Sequence, residues 1–113
     1  MKKIEAIIKP FKLSQVKDSL HELGISGMTL VDVKGFGRQR GSTGGIDAGE
    51  NYDDEFLAKM KLEVIVEDKQ VDEVIESIKS SAYSGKIGDG KIFVSNIEQV
   101  VRIRTGEKDS DAV

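Results

Sequence analysis

Three observations predict an α+β chain of the ferredoxin-like βαββαβ class. Segments with strand and helix periodicity follow the order strand, helix, strand, and then repeat it. Shifting KIEAIIKPFKLSQVKDSL at 3–20 by 58 positions lays it on KLEVIVEDKQVDEVIESI without a gap, with Lys3/Lys61, Glu5/Glu63, Ile7/Ile65, Val16/Val74 and Ser19/Ser77 identical. One long polar stretch, GFGRQRGSTGGIDAGENYDDEF at 35–56, separates the two halves. A strand–helix–strand unit used twice places two helices on one face of an antiparallel sheet.

The elements follow in order. KKIEAIIK alternates as a strand, with Ile4, Ala6 and Ile8 on one face and Glu5 and Ile7 on the other. Pro10 ends it. Leu13, Val16, Leu20 and Leu23 have helical spacing, and Gly24 is a stop signal. TLVDVKGF is the second strand, and the long loop follows it. KMKLEVIVE is the third strand, and Val71, Val74, Ile75 and Ile78 form the stripe of a second helix. The turn SGKIGDG leads into KIFVSNIEQVVRIR, one or two further strands, and the tail GEKDSDAV is polar. Leu62, Val64 and Val66 join Ile4, Ala6 and Ile8 beneath the helices. Ile7, Ile65, Val31 and Val33 are left on the opposite face, which predicts a closed oligomer with the bare sheets turned inward.

The totals narrow the function. The 113 residues argue for one domain, 1–113. Net charge is −3, from 17 Lys and Arg against 20 Asp and Glu, so no global basic pull toward nucleic acid or membrane exists. Cysteine is absent, which removes disulfides, thiol catalysis and zinc–thiolate sites. The apolar run at the N-terminus is broken by Glu5 and Lys9, so no signal peptide or spanning segment is read; the chain is expected to be cytoplasmic, or plastid-located as a mature organelle form. Aromatic residues are 5% of the chain, too few for a base-stacking RNA module. His21, the only histidine, sits beside Leu20 on the first helix and reads as a surface residue.

Two glycine-rich stretches invite a phosphate reading. GFGRQRG at 35–41 follows a strand, but its glycine spacing is not that of a dinucleotide fingerprint and no helix follows. GKIGDGK at 85–91 has P-loop spacing, but Ile92 stands where Mg²⁺ needs a hydroxyl, and a strand follows. The second is either a surface turn or a backbone anion cradle with Lys86 and Lys91 as charge. Arg102 and Arg104 in VVRIR fall on one face of the expected strand, where they hold an anion or charge an edge.

Together these stretches resemble the PII signal-transduction family. The resemblance is carried by SGKIGDGKIFV at 84–94, KIEAIIKPFKL at 3–13, VKGFGRQRG at 33–41 and VVRIRTGE at 100–107, and covers nearly the whole chain apart from the loop tip and tail. It implies a homotrimer with ATP or ADP in the clefts between subunits. By matching motif, Gly35, Gly37, Arg38 and Gln39 lie on one side of the nucleotide, and Ile7, Thr29, Glu63 and Ile65 near its base and sugar. Gly88, Asp89, Gly90, Lys91, Arg102 and Arg104 hold it, several from the neighbouring subunit. The resemblance further implies 2-oxoglutarate beside ATP through Mg²⁺, with Gln39 on the metal, Lys59 on a carboxylate and the Gly41 backbone N–H nearby. Residues 37–56 are then the mobile loop of the family, 83–91 a turn contacting nucleotide, and 105–113 a flexible tail. The implied function is a non-enzymatic regulator of nitrogen-metabolism enzymes (glutamine synthetase or an amino-acid kinase) or of an ammonium transporter. The alternatives are a PII-like regulator of carbon uptake or another pathway, and a slow ATPase. No nucleic-acid partner and no membrane insertion are implied.

The chain departs from relatives at the loop tip. IDAGENYDD is one residue longer than the common form, and Ala48 or Asp47 stands at the place of an arginine. Tyr52 falls in the register of a modified tyrosine, without its usual flanks. Tyr83 replaces a commonly basic residue, and Ser84 a threonine whose hydroxyl it keeps.

Overall fold

The computed structural model describes residues 1–36 and 56–113. Strand β1 runs Lys2–Ile8, helix α1 Leu13–Glu22, β2 Thr29–Phe36, β3 Phe56–Val66, helix α2 Val71–Ala82 and β4 Lys91–Asn96. Short 3-10 turns at Pro10–Lys12 and Asp68–Gln70 lead into the two helices. The sheet order is β2-β3-β1-β4 with antiparallel neighbours throughout, the expected ferredoxin-like topology.

Alternation decides what each strand buries. Ile4 pairs with Val64 and Ala6 with Leu62, and these side chains with Ile8 and Val66 are removed from solvent. Val16 and Leu20 of α1 and Val74 and Ile78 of α2 close the core from above, with Leu13, Val71 and Ile75 packed at its edge. Each large side chain so buried contributes roughly 1.5–3 kcal/mol relative to exposure. Helix α1 stops where expected: Gly24 has φ +86°, and its N–H donates to the His21 carbonyl at 2.9 Å.

The internal repeat has a physical counterpart. Both 3-10 turns and both helices start 58 residues apart. The hydroxyls of Ser19 and Ser77, also 58 apart, meet at 2.5 Å between the helices. On the opposite face, Glu5 lies directly across from Glu63 in register. Their repulsion is relieved by Lys3, which reaches Glu5 at 3.4 Å and Glu63 at 3.9 Å, and by Lys61, 3.7 Å from each. The open face is therefore mixed: this charge ring sits among Ile7, Ile65 and Val33, while Val31 and Phe93 are exposed.

Two boundaries differ from the sequence reading. Strand β3 begins at Phe56, three residues before KMKLEVIVE, because β2 pairs with it as far as Phe36↔Phe56. The segment after β4 is not a second strand. Val101 makes a single bridge to Lys108, and the chain reverses between them: the Arg102 N–H donates to the Glu107 carbonyl at 2.9 Å, and the N–H of Gly106, at φ +82°, to the Arg102 carbonyl at 2.8 Å. A 3-10 turn at Asp109–Ala112 follows.

Candidate functional site

The turn between α2 and β4 is built around the Asp89 carboxylate. It accepts from the backbone N–H of Ser84 at 2.8 Å and of Gly85 at 2.9 Å, and from the Ser84 hydroxyl. The Lys9 ammonium stands 3.2 Å from the same carboxylate and donates to the Ser84 hydroxyl at 3.0 Å. Partial burial works to raise the Asp89 pKa, but these hydrogen bonds from Ser84, Gly85 and Lys9 outweigh it and hold the carboxyl well below the usual range. The Asp89 side chain is thus committed to the turn itself. Gly85, Gly88 and Gly90 all have left-handed backbones. At Gly90 a Cβ would lie 1.6 Å from the Ile7 carbonyl oxygen, so only glycine lets the turn descend onto the end of β1. Strand β4 starts at Lys91, as the failed P-loop reading requires.

Lys59 of β3 reaches this turn from the other side. Its ammonium donates to the Gly88 carbonyl at 2.7 Å, and its side chain is only 8% exposed. Burial lowers its pKa, nearby Lys9 lowers it further, and Asp89 opposes both. Lys59 faces Val33 across the β2–β3 ladder, and its stem passes 3.1 Å from where a Cβ of Gly35 would stand. Gly35 therefore gives the lysine its path.

A second group lies at the far end of the open face. Thr29, Glu63, Ile65 and Arg102 line one pocket of about 750 Å³, together with Ser110 and Val113 of the tail. Arg102 is paired with Glu107, Nη1 to Oε2 at 3.1 Å, and hydrogen bonds from Thr105 and its own backbone N–H, with Arg102 beside it, keep the Glu107 carboxyl below its ordinary pKa. This corrects the reading of two arginines on one strand face: Arg102 precedes a turn, and Arg104 lies within that turn and is exposed. On β3, Lys59 is four residues from Glu63 and six from Ile65, so the two groups lie roughly 13–20 Å apart along the strand at about 3.3 Å per residue.

Of the site residues expected from sequence, Gly37, Arg38, Gln39, Gly41 and Tyr52 lie outside the described residues. Lys9 was missed. Nothing in the sequence pointed to it: the 58-residue repeat aligns Lys9 with Glu67, whose side chain caps the Asp68–Gln70 turn. Among the described residues, no group of three or more His, Asp or Glu suits a metal ion, and no helix is long and apolar enough to cross a membrane.

The profile of nitrogen regulatory protein P-II matches residues 1–107. The chain belongs to the nitrogen regulatory protein P-II family. It is 58% identical over its full length, and over the whole of the relative, to the nitrogen regulatory protein P-II of Azospirillum brasilense. With the same full coverage of both chains, it is 58% identical to that of Haemophilus influenzae and 57% to that of Nostoc punctiforme. Among solved structures, it is similar to Arabidopsis thaliana PII bound to citrate, with a TM-score of 0.82 and 41% identity over 99% of this chain and 91% of that one. These P-II relatives are named as regulatory proteins.

Proposed function

We propose that this P-II chain senses ATP or ADP together with 2-oxoglutarate, works as a homotrimer, and controls nitrogen-metabolism enzymes or a transporter through residues 37–56. The observation that carries the reading is the junction of Lys59 with the glycine turn: a buried ammonium held on the Gly88 carbonyl, beside a turn rich in left-handed glycines. An ammonium in that position offers a counter-charge to a carboxylate, and the turn offers backbone N–H groups to phosphate. Citrate in the Arabidopsis PII structure is likewise a small polycarboxylate.

The two groups at opposite ends of β3 support a site shared between subunits. Thr29, Glu63, Ile65 and Arg102 suit a base and ribose, while Gly88, Asp89, Gly90 and Lys91 suit phosphates, and both groups border the open sheet face that a second subunit would cover. Asp89 acts there by shaping the backbone, since its carboxylate is engaged by Ser84, Gly85 and Lys9. Gln39 would offer Mg²⁺ a neutral side-chain oxygen, and the ion would offset negative charge between the bound anions.

Sensing follows from linkage: if ATP favours the arrangement that binds 2-oxoglutarate, each ligand tightens the other by the same factor. Calorimetric titration of 2-oxoglutarate in the presence of MgATP, and separately of MgADP, tests this. Tighter binding with ATP is expected; equal affinities would refute the sensor.

A further inference from the structure

We infer that Lys9 is a positioning residue of the effector site, its ammonium fixing the 84–89 turn against the end of β1 so that the turn's backbone meets the nucleotide. The inference rests on the effector reading above for its ligand and on the geometry of this chain for everything else. Lys9 is 8% exposed, and a buried ammonium persists only where fixed groups replace water. Its two partners, Ser84 at 3.0 Å and Asp89 at 3.2 Å, stand at the two ends of the same turn. Asp89 draws the Ser84 and Gly85 amides onto itself, and Lys9 gives that carboxylate its counter-charge.

The clamp also explains how a turn with three left-handed glycines holds one place. Glycine lowers the cost of those angles but restricts nothing. Lys9 ties the turn to β1, and Lys59, donating to Gly88, ties it to β3. Two cations, one just past the end of β1 and one on β3, therefore set where the Gly88–Gly90 backbone sits. Removing Lys9 takes from the Asp89 carboxylate the ammonium at 3.2 Å and frees one of these two ties.

Lys9→Gln and Lys9→Arg test the inference through two readouts: calorimetric titration with MgATP, and amide hydrogen exchange resolved at Ser84 and Gly85. Loss of a charge-assisted contact predicts about tenfold weaker ATP binding in Lys9→Gln. It also predicts faster exchange at Ser84 and Gly85 with β1 and β3 amides unchanged, and partial recovery of both effects in Lys9→Arg. Unaltered ATP affinity with unaltered exchange at the turn would overturn the inference. So would a loss of protection spread evenly through the sheet with ATP affinity intact, because that marks a purely structural lysine. If the native protein binds no ATP, the effector reading falls, and the exchange pattern still decides the clamp. If Lys9→Gln does not fold, Asp89→Asn removes the other half of the ion pair and carries the same two readouts.

Discussion

At Gly90 the positive φ and the Ile7 carbonyl act together. Gly90→Ala must place a methyl group where the β1 backbone already lies, at a φ of +100°. The expected cost is on the order of 3 kcal/mol or more, from strain and overpacking combined. Gly24→Ala, at φ +86° with open space around it, faces strain alone, about 1 kcal/mol. Urea unfolding of both variants checks the contrast, and equal losses would show that the Ile7 contact is not limiting. Asp89 gives a pH prediction. Its folded pKa is depressed, so its contribution is complete above the unfolded value near 3.9 and is lost as pH falls through the folded value. Asp89→Asn should lower stability at neutral pH and flatten the acid side of the stability–pH curve, measured by urea unfolding from neutral to strongly acid pH.

Between elements, the contact of α1 with α2 depends in part on Ser19 and Ser77, whose hydroxyls satisfy each other. Either serine replaced by alanine orphans its partner, so Ser19→Ala and Ser77→Ala should each cost about 1 kcal/mol, and the double variant clearly less than the sum. A double-mutant cycle in denaturant measures this, and strict additivity would show the hydroxyls to be independent. Elements of this kind were legible from sequence because their periods are strong: alternation placed Ile4, Ala6 and Ile8 in the core, and helical spacing placed Val16 and Leu20 there. The segment after β4 was misread for a physical reason. VVRIR alternates like a strand, but Gly106 and Glu107 reverse the chain by hydrogen bonds to Arg102, and no period announces a hairpin that short. Lys9 was illegible because its partner Asp89 lies 80 positions away, and a single charge beside Pro10 reads as a strand end. The grouping of Lys59 with Gly88 came from neither period nor spacing; the resemblance named both residues, and the structure brings them to 2.7 Å.

For the whole molecule, the open sheet face is where the proposed trimer is tested. It carries Ile7, Ile65, Val33 and the exposed Val31 and Phe93 around the charge ring. In a lone chain Phe93→Glu would change little, since Phe93 is half exposed. In a trimer that covers this face, a buried unpaired carboxylate would break the interface. Sedimentation equilibrium is expected to give three times the chain mass for the native protein and a smaller species for Phe93→Glu. A native monomer would end the trimer proposal.

The 58-residue repeat has a further consequence. Ser19 with Ser77, and Lys3 and Glu5 with Lys61 and Glu63, are contacts of like with like, the pattern by which two equal partners bind about a twofold axis. The domain is in that sense a dimer written on one chain, and residues 37–55 are the splice between its halves. The like-with-like contacts lie within residues 3–19 and 61–77, and doubling the length of a connection costs only about 0.6 kcal/mol of closure entropy. Changes of length or sequence between the halves are therefore expected to leave these symmetric contacts in place.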